Sequence, residues 1–230
     1  MRVYRFLNAD HGLGSIQLRR LKISRLDELN DPFEMLGIAM SDPIHRRAFN
    51  GMKASLSKDH GLLCFSRRWS NPLLWSHYAD RHRGLCLGFD MLGKGLRRVK
   101  YVDVRQSPAK LLKGDHLSRR RAMEDLLYSK FSHWRYEDEV RCFLKLEKKD
   151  IDTDLYFKDF SDAVALTQVI VGSASCITRN DVKQALAGYW RNVEVFKARS
   201  AGSTGFHSSP AARIETAKEA KIHSNRPIRG

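Results

Sequence analysis

Between Trp134 and Leu146 the chain switches to strict alternation: Glu137, Glu139 and Arg141 fall at every second position, and Val140, Cys142, Leu144 and Leu146 fill the opposite phase. A period of two predicts a half-buried strand, with the three charged residues on one side and the apolar ones on the other. The charged side is either a site or an ion-paired face toward water; alternation alone does not choose between them. Further strands are predicted over Val3–Leu7, Leu85–Asp90, Arg98–Val104 and Val193–Phe196, and the apolar runs Gly61–Ser66 and Val164–Gly172 read as buried strands. In the first of these Arg5 shares a face with Val3 and Leu7, a placement that calls for an anion to meet it.

Apolar spacing by threes and fours predicts the helices. Asp42-Pro43 opens one that carries Ile44, Ala48, Phe49, Met52 and Leu56. Asn71-Pro72 opens a second with Leu74, Trp75, Tyr78 and Ala79, closed by Gly84. A third runs from His116 to Trp134, directly into the alternating stretch, with Arg120 pairing to Glu124 and Arg121 to Asp125 on its outer face. Thr178 and Asp181 form a capping box for a fourth that reaches Ala187. Asn30-Asp31-Pro32-Phe33-Glu34 reads as a fixed turn, since Pro32 forces Asp31 into an extended conformation. These elements predict one α+β domain over residues 1–197, a mixed, mostly antiparallel sheet with flanking helices. Residues 198–230 turn to Ser, Gly, Ala, Pro and Lys and read as a disordered basic tail.

Charge adds a partner class. Lys and Arg number 41 against 26 Asp and Glu, a net +15, which favours nucleic acid, phosphate-bearing ligands or an acidic membrane surface. Clusters at Arg67-Arg68-Trp69, Arg81-His82-Arg83 and Arg119-Arg120-Arg121 make Arg67, Arg68, Arg81, Arg119, Arg120 and Arg121 candidate phosphate contacts, although no known nucleic-acid-binding motif accompanies them. Cys64, Cys86, Cys142 and Cys176 lie far apart beside apolar residues, as in a reduced cytoplasmic protein; neither a signal peptide nor a membrane span is visible. His77, His82 and Cys86 are too irregularly spaced for a zinc site, so no metal is expected. Gly12-x-Gly14 lacks the context of a phosphate-binding loop, and there is no G-x-S-x-G elbow.

Four blocks occur in order: Asn30-Asp31-Pro32-Phe33-Glu34, Cys64-Phe65-Ser66, Trp75-x-x-Tyr78-Ala79 with Gly84 and Phe89-Asp90, and Trp134-x-Tyr136-Glu137-x-Glu139-x-Arg141. Together they resemble the bacterial family called domain of unknown function 2971, a label that carries no established activity. More distantly, Arg5, Ser66 and Glu137-x-Glu139 are similar in order to the ADP-ribosyltransferases, which use a basic residue, a Ser or Tyr and a Glu on successive strands. That resemblance implies a split sheet cradling NAD. It implies Glu139, Glu137 and Ser66 as catalytic residues, with Arg5, Tyr4, Ser66, Trp75 and Tyr78 around the dinucleotide. It also implies transfer to a macromolecule, nucleic acid being suggested by the charge, in a toxin or phage-defence setting. A departure is that Cys64-Phe65-Ser66 stands where many of these enzymes have a Ser-Thr-Ser run. The alternative is a non-catalytic nucleic-acid-binding or regulatory module with a basic surface.

Overall fold

A computed structural model describes residues 1–29, 42–93, 95–104 and 115–199, the side chain of His45 excepted. The turn expected at Asn30–Glu34 and the tail beyond Arg199 lie outside the described residues. The chain forms an α+β domain. Its strands are β1 (Arg2–Leu7), β2 (Arg20–Arg25), β3 (His60–Ser66), β4 (Leu85–Met91), β5 (Leu96–Arg98), β6 (Lys100–Val102), β7 (Ser129–Phe131), β8 (Glu139–Lys145), β9 (Tyr156–Asp159), β10 (Val164–Val171) and β11 (Glu194–Lys197). Helices are α1 (Ala9–Gln17), α2 (Pro43–Asp59), α3 (Pro72–Tyr78), α4 (His116–Leu127) and α5 (Arg179–Leu186).

The main sheet runs β11-β10-β4-β1-β3-β2-β9, with β8 on the other edge of β3 and β5 outside β8. Every neighbouring pair in it is antiparallel except β10 with β11; β6 and β7 make a separate parallel pair. The sheet is split. β3 pairs with β8 along its whole length, from His60↔Lys145 to Ser66↔Glu139. On its other edge it meets β2 only at Gly61 and Leu62, and β1 only where Tyr4 lies opposite Ser66. Between those contacts β1 and β2 part, and the gap opens beside Cys64. Leu63 and Phe65 point from β3 into the main core with Val3, Leu85, Leu87, Phe89 and Val169, all nearly excluded from water. Leu62 points the other way, into a second cluster under α2 and α4 with Leu26, Phe49 and Leu126.

Local chemistry fixes the element ends. The Asn8, Asp42, Asn71 and Asp115 side chains each accept a backbone N–H at the start of a helix, and Thr178 and Asp181 form the expected capping box. Gly12 and Gly14 do follow a strand and precede a strand, but they sit inside α1 rather than in a loop. A Cβ at Gly12 would come within 2.7 Å of the Leu85 side chain, so this glycine serves packing.

Three elements depart from the expected boundaries. The long third helix stops at Leu127, and Ser129–Phe131 extends to pair with β6 before a 3-10 turn over Ser132–Glu137. The strand expected from Arg98 to Val104 is broken into β5 and β6, because Val99 turns its backbone to the Glu139 carbonyl instead. The second helix ends at Tyr78 rather than at Gly84; Asp80, Arg81 and His82 follow in left-handed conformations. On α4 Arg120 does reach Glu124 at 3.3 Å, whereas Asp125 faces Lys100 at 3.5 Å rather than Arg121. No helix of the described residues is long and apolar enough to cross a membrane.

Candidate active site

The split in the sheet holds a cavity of about 200 Å³. β1 contributes Tyr4 and Arg5, β3 contributes Cys64 and Ser66, and α3 contributes Tyr78. Lys130 from β7, Glu137 from the 3-10 turn and Glu139 from β8 close the charged end. Arg5, Ser66, Glu137 and Glu139, widely separated in the chain, therefore face one space. Ser66 and Glu139 are direct partners in the β3–β8 ladder, which is why they arrive together.

The charged side of β8 is buried. Glu137 is 5% exposed, Glu139 6% and Arg141 1%, so the solvent-face reading of this stretch does not hold. Arg141 and Glu139 share a face of one strand, and the guanidinium donates from Nε to Oε1 at 2.8 Å and from Nη2 to Oε2 at 2.9 Å. Its Nη1 donates to the Leu127 carbonyl at 2.8 Å. Arg141 is thus the ion-pair partner of Glu139. Glu137 departs from the expected strand face: Asp138 adopts a left-handed conformation at φ 44°, so Glu137 ends the 3-10 turn and β8 begins only at Glu139.

Lys130 reunites the two carboxylates. Its Nζ donates to Glu137 Oε2 at 2.6 Å and lies 3.4 Å from Glu139 Oε2, with the Trp134 ring 4.7 Å away. Tyr78 Oη donates to Glu137 Oε1 at 2.6 Å, and Tyr101 Oη accepts the Glu139 N–H at 2.8 Å. Lys130 and Tyr101 belong to the short β6–β7 pair; the sequence pattern puts them in the expected His116–Trp134 helix and Arg98–Val104 strand and marks neither as a site residue.

The two carboxyls are pushed apart. Burial opposes ionisation of Glu139, but the Arg141 guanidinium, with Lys130 behind it, outweighs burial and holds that group well below the usual carboxylate range. Burial dominates at Glu137 and raises its pKa, with Lys130 pulling against it and Glu139 adding to the rise. Tyr78 is pushed well above its ordinary value by burial and then by the Glu137 charge, and Tyr101 is pushed up to about 12 for similar reasons. One carboxylate held ionised beside another that retains its proton more readily is the arrangement in which an electrostatic stabiliser and an acid or base divide the work.

Arg5 supplies the third element. Its Nη2 donates to the Lys22 carbonyl across the split at 2.8 Å, while its Nη1 is buried and has no partner among the described residues. Burial lowers its pKa, yet an arginine stays charged, and an unmet buried donor is costly unless a ligand supplies the acceptor. Ser66 Oγ donates to the Arg68 carbonyl at 3.0 Å and accepts the Arg68 N–H at 3.1 Å.

Trp75 is not where the resemblance places it. It is fully buried in the cluster with Ala79, Cys86 and Ile170, its Nε1 donating to the Trp69 carbonyl, and Phe6 rather than Trp75 lines the cavity. Leu74 and Tyr78, one turn apart on α3, reach the cavity, while Trp75 turns into the cluster beneath the sheet. Among the arginines, Arg67 and Arg68 adjoin the site and approach Asp138 at 3.6 and 3.3 Å. Arg81, Arg119, Arg120 and Arg121 are exposed and do not line the cavity. His77, His82 and Cys86 do not converge: His77 packs near Tyr136, His82 over Trp75, and Cys86 is buried in the core. Comparison of the chain with family models, with curated proteins and with solved structures returns no match.

Proposed function

We propose that the chain is an NAD-dependent ADP-ribosyltransferase-like enzyme that modifies a macromolecule. One observation carries the reading: Arg5, Ser66 and Glu139 line a single cavity at a split between strands, with Glu137 beside them. Breaking the bond between the ribose C1′ and the nicotinamide nitrogen sends its electron pair into the ring and leaves oxocarbenium character on the sugar. Glu139, held ionised, offers negative charge to that centre and keeps lone pairs for a ribose hydroxyl. Glu137 takes the proton of the acceptor as its oxygen or nitrogen forms the new bond to C1′. The unmet Arg5 Nη1 is the donor for a phosphate oxygen.

The cavity's roughly 200 Å³ lies below the range of about 300–1,000 Å³ usual for drug-sized ligands. It suits the nicotinamide-ribose end, the adenosine lying outside. The four cysteines are all free, in keeping with a reducing, cytoplasmic setting.

The test is nicotinamide release from NAD in the presence of cell extract, followed chromatographically for wild type and Glu139→Gln. Release by wild type that falls at least about 100-fold in the variant supports the reading; a wild type that neither binds nor consumes NAD ends it. One observation favours the non-catalytic alternative: both Glu139 oxygens are already committed to Arg141. That alternative requires Glu139→Gln to leave nucleic-acid affinity and cellular function intact.

A further inference from the structure

A second groove, of about 500 Å³, runs behind the charged wall of the cavity. Its lining alternates in sequence with the cavity's. Ser66 faces the cavity and Arg67 and Arg68 the groove; Glu137 and Glu139 face the cavity and Tyr136 and Asp138 the groove. Arg135 completes the groove, and Asn71 Nδ2 fixes one side by donating to the Tyr136 carbonyl at 2.6 Å. Two guanidiniums, those of Arg67 and Arg68, thus share one carboxylate, Asp138, while the exposed Arg135 guanidinium lies over the Tyr101 ring at 6.0 Å. Arg68 is 71% exposed despite its contact with Asp138, so its charge is available to a ligand. The Tyr136 ring lies 6.2 Å from the His77 ring and 5.9 Å from that of Trp134, forming an aromatic border.

We infer that this groove binds the phosphate backbone of a single-stranded nucleic acid, which is the acceptor of the transfer proposed above. The inference rests on that reading for the word acceptor but not for the binding. Arginines beside stackable rings are the recurrent means of holding single strands, phosphates on the cations and bases on the aromatic faces. Glu137 is only 5% exposed, so an acceptor atom must enter the cavity to reach it. A base within a duplex cannot do so, whereas an unpaired nucleotide can. The chain's net +15 favours a polyanion over a protein acceptor.

Fluorescence anisotropy of a labelled single-stranded oligonucleotide, measured over a salt series without NAD, tests the groove. Wild type should bind, and the Arg68→Glu, Arg135→Glu double variant should lose about tenfold or more in affinity, with a log-affinity slope against log salt shallower by about one to two. Arg68→Gln with Arg135→Gln should fall between them. The control Arg191→Glu, exposed in the 3-10 turn before β11, should bind as wild type does. Equal affinity in wild type and both double variants, or a control that weakens binding as much as they do, overturns the groove. ADP-ribose label recovered on protein and not on nucleic acid overturns the acceptor assignment. NAD turnover without oligonucleotide binding would remove this inference alone, while groove-dependent binding without NAD turnover would remove the transferase reading and leave the groove.

Discussion

Arg141 holds Glu139 by two parallel hydrogen bonds, at 2.8 and 2.9 Å, with both side chains withdrawn almost wholly from water. The two residues belong to one strand and are separated by a single residue, so the pairing needs no cross-strand register; β8 creates it as soon as it extends. Removing two charges from water is nearly as costly as their attraction is favourable, so the intact pair adds little net stability. Its geometry matters more, since it aims an ionised carboxylate at the cavity.

Losing one partner should be far worse than losing both. Arg141→Met leaves the buried Glu139 beside a second carboxylate, Glu137, with Lys130 as its remaining cation, and should lower unfolding free energy by about 3–5 kcal/mol. Combining it with Glu139→Gln should recover much of that loss. Urea unfolding of the two single variants and the double variant measures the coupling; strictly additive losses would show the pair to be open in solution.

Acid and base should act oppositely on the two glutamates. Glu139 has a depressed folded pKa, so its contribution is present above the unfolded value of about 4.3 and is lost as pH falls through the lower folded value. Glu137 has a raised folded pKa, so the folded form binds its proton more tightly. Its contribution is full below about pH 4.3 and is lost as pH rises through the folded value. Urea midpoints against pH should therefore show a flatter acid limb in Glu139→Gln and a flatter decline above about pH 4.3 in Glu137→Gln. Parallel curves in wild type and both variants would contradict these assignments.

How far the chain foretold this arrangement depended on whether a residue sat in a periodic element. Val140 and Cys142 against Glu139 and Arg141 could be read directly, because a strand preserves a period of two and the burial of each phase follows from it. The alternation extends back to Glu137, but Asp138 is left-handed, and a backbone reversal leaves no mark on a hydrophobic pattern. Lys130 and Tyr101 escaped for a related reason: they fall inside the expected His116–Trp134 helix and Arg98–Val104 strand, and nothing in the apolar spacing shows that these break into three-residue strands paired by tertiary contacts. The strand β9 leaves no clear mark either, being half-exposed at the edge of the sheet and paired with β2 alone among the strands. Trp75 was misplaced because aromatic character does not reveal which side of a short helix faces the cavity.

Two glycines should be as intolerant as core residues. A Cβ at Gly84 would stand 2.1 Å from the Leu7 carbonyl oxygen, and one at Gly172 would stand 2.1 Å from that of His82. Both obstacles are backbone, and the Gly172 N–H bonds the Gly84 carbonyl at 2.9 Å, so neither strand can retreat alone. Gly84→Ala and Gly172→Ala should each cost about 1–3 kcal/mol or more. Gly51→Ala, within α2 and with open space around it, should instead stabilise by about 0.5–1 kcal/mol. Thermal unfolding of the three variants gives the ordering, and a Gly84→Ala protein as stable as Gly51→Ala would show that β1 and the start of β4 are farther apart than described.

Lys130 is the residue whose removal should most change the site while leaving its carboxylates in place. Its ammonium lies 2.6 Å from Glu137 and 3.4 Å from Glu139, so Lys130→Met deletes the cation nearest Glu137 and leaves that buried group facing a second carboxylate. Burial and the Glu139 charge already push the Glu137 pKa upward, and Lys130 and the Tyr78 hydroxyl oppose them. Both Lys130→Met and Tyr78→Phe should therefore raise it further, Lys130→Met by more, because it loses a full charge and Tyr78→Phe a neutral donor. Carbon-13 titration of the glutamate carboxyls reads the shift without reference to any activity. In the NAD assay the same variants should move the acid limb of the rate profile to higher pH, since the proton acceptor is ionised only above the raised value. A Glu137 titration unchanged in Lys130→Met would mean that the ammonium does not sit between the carboxylates in solution.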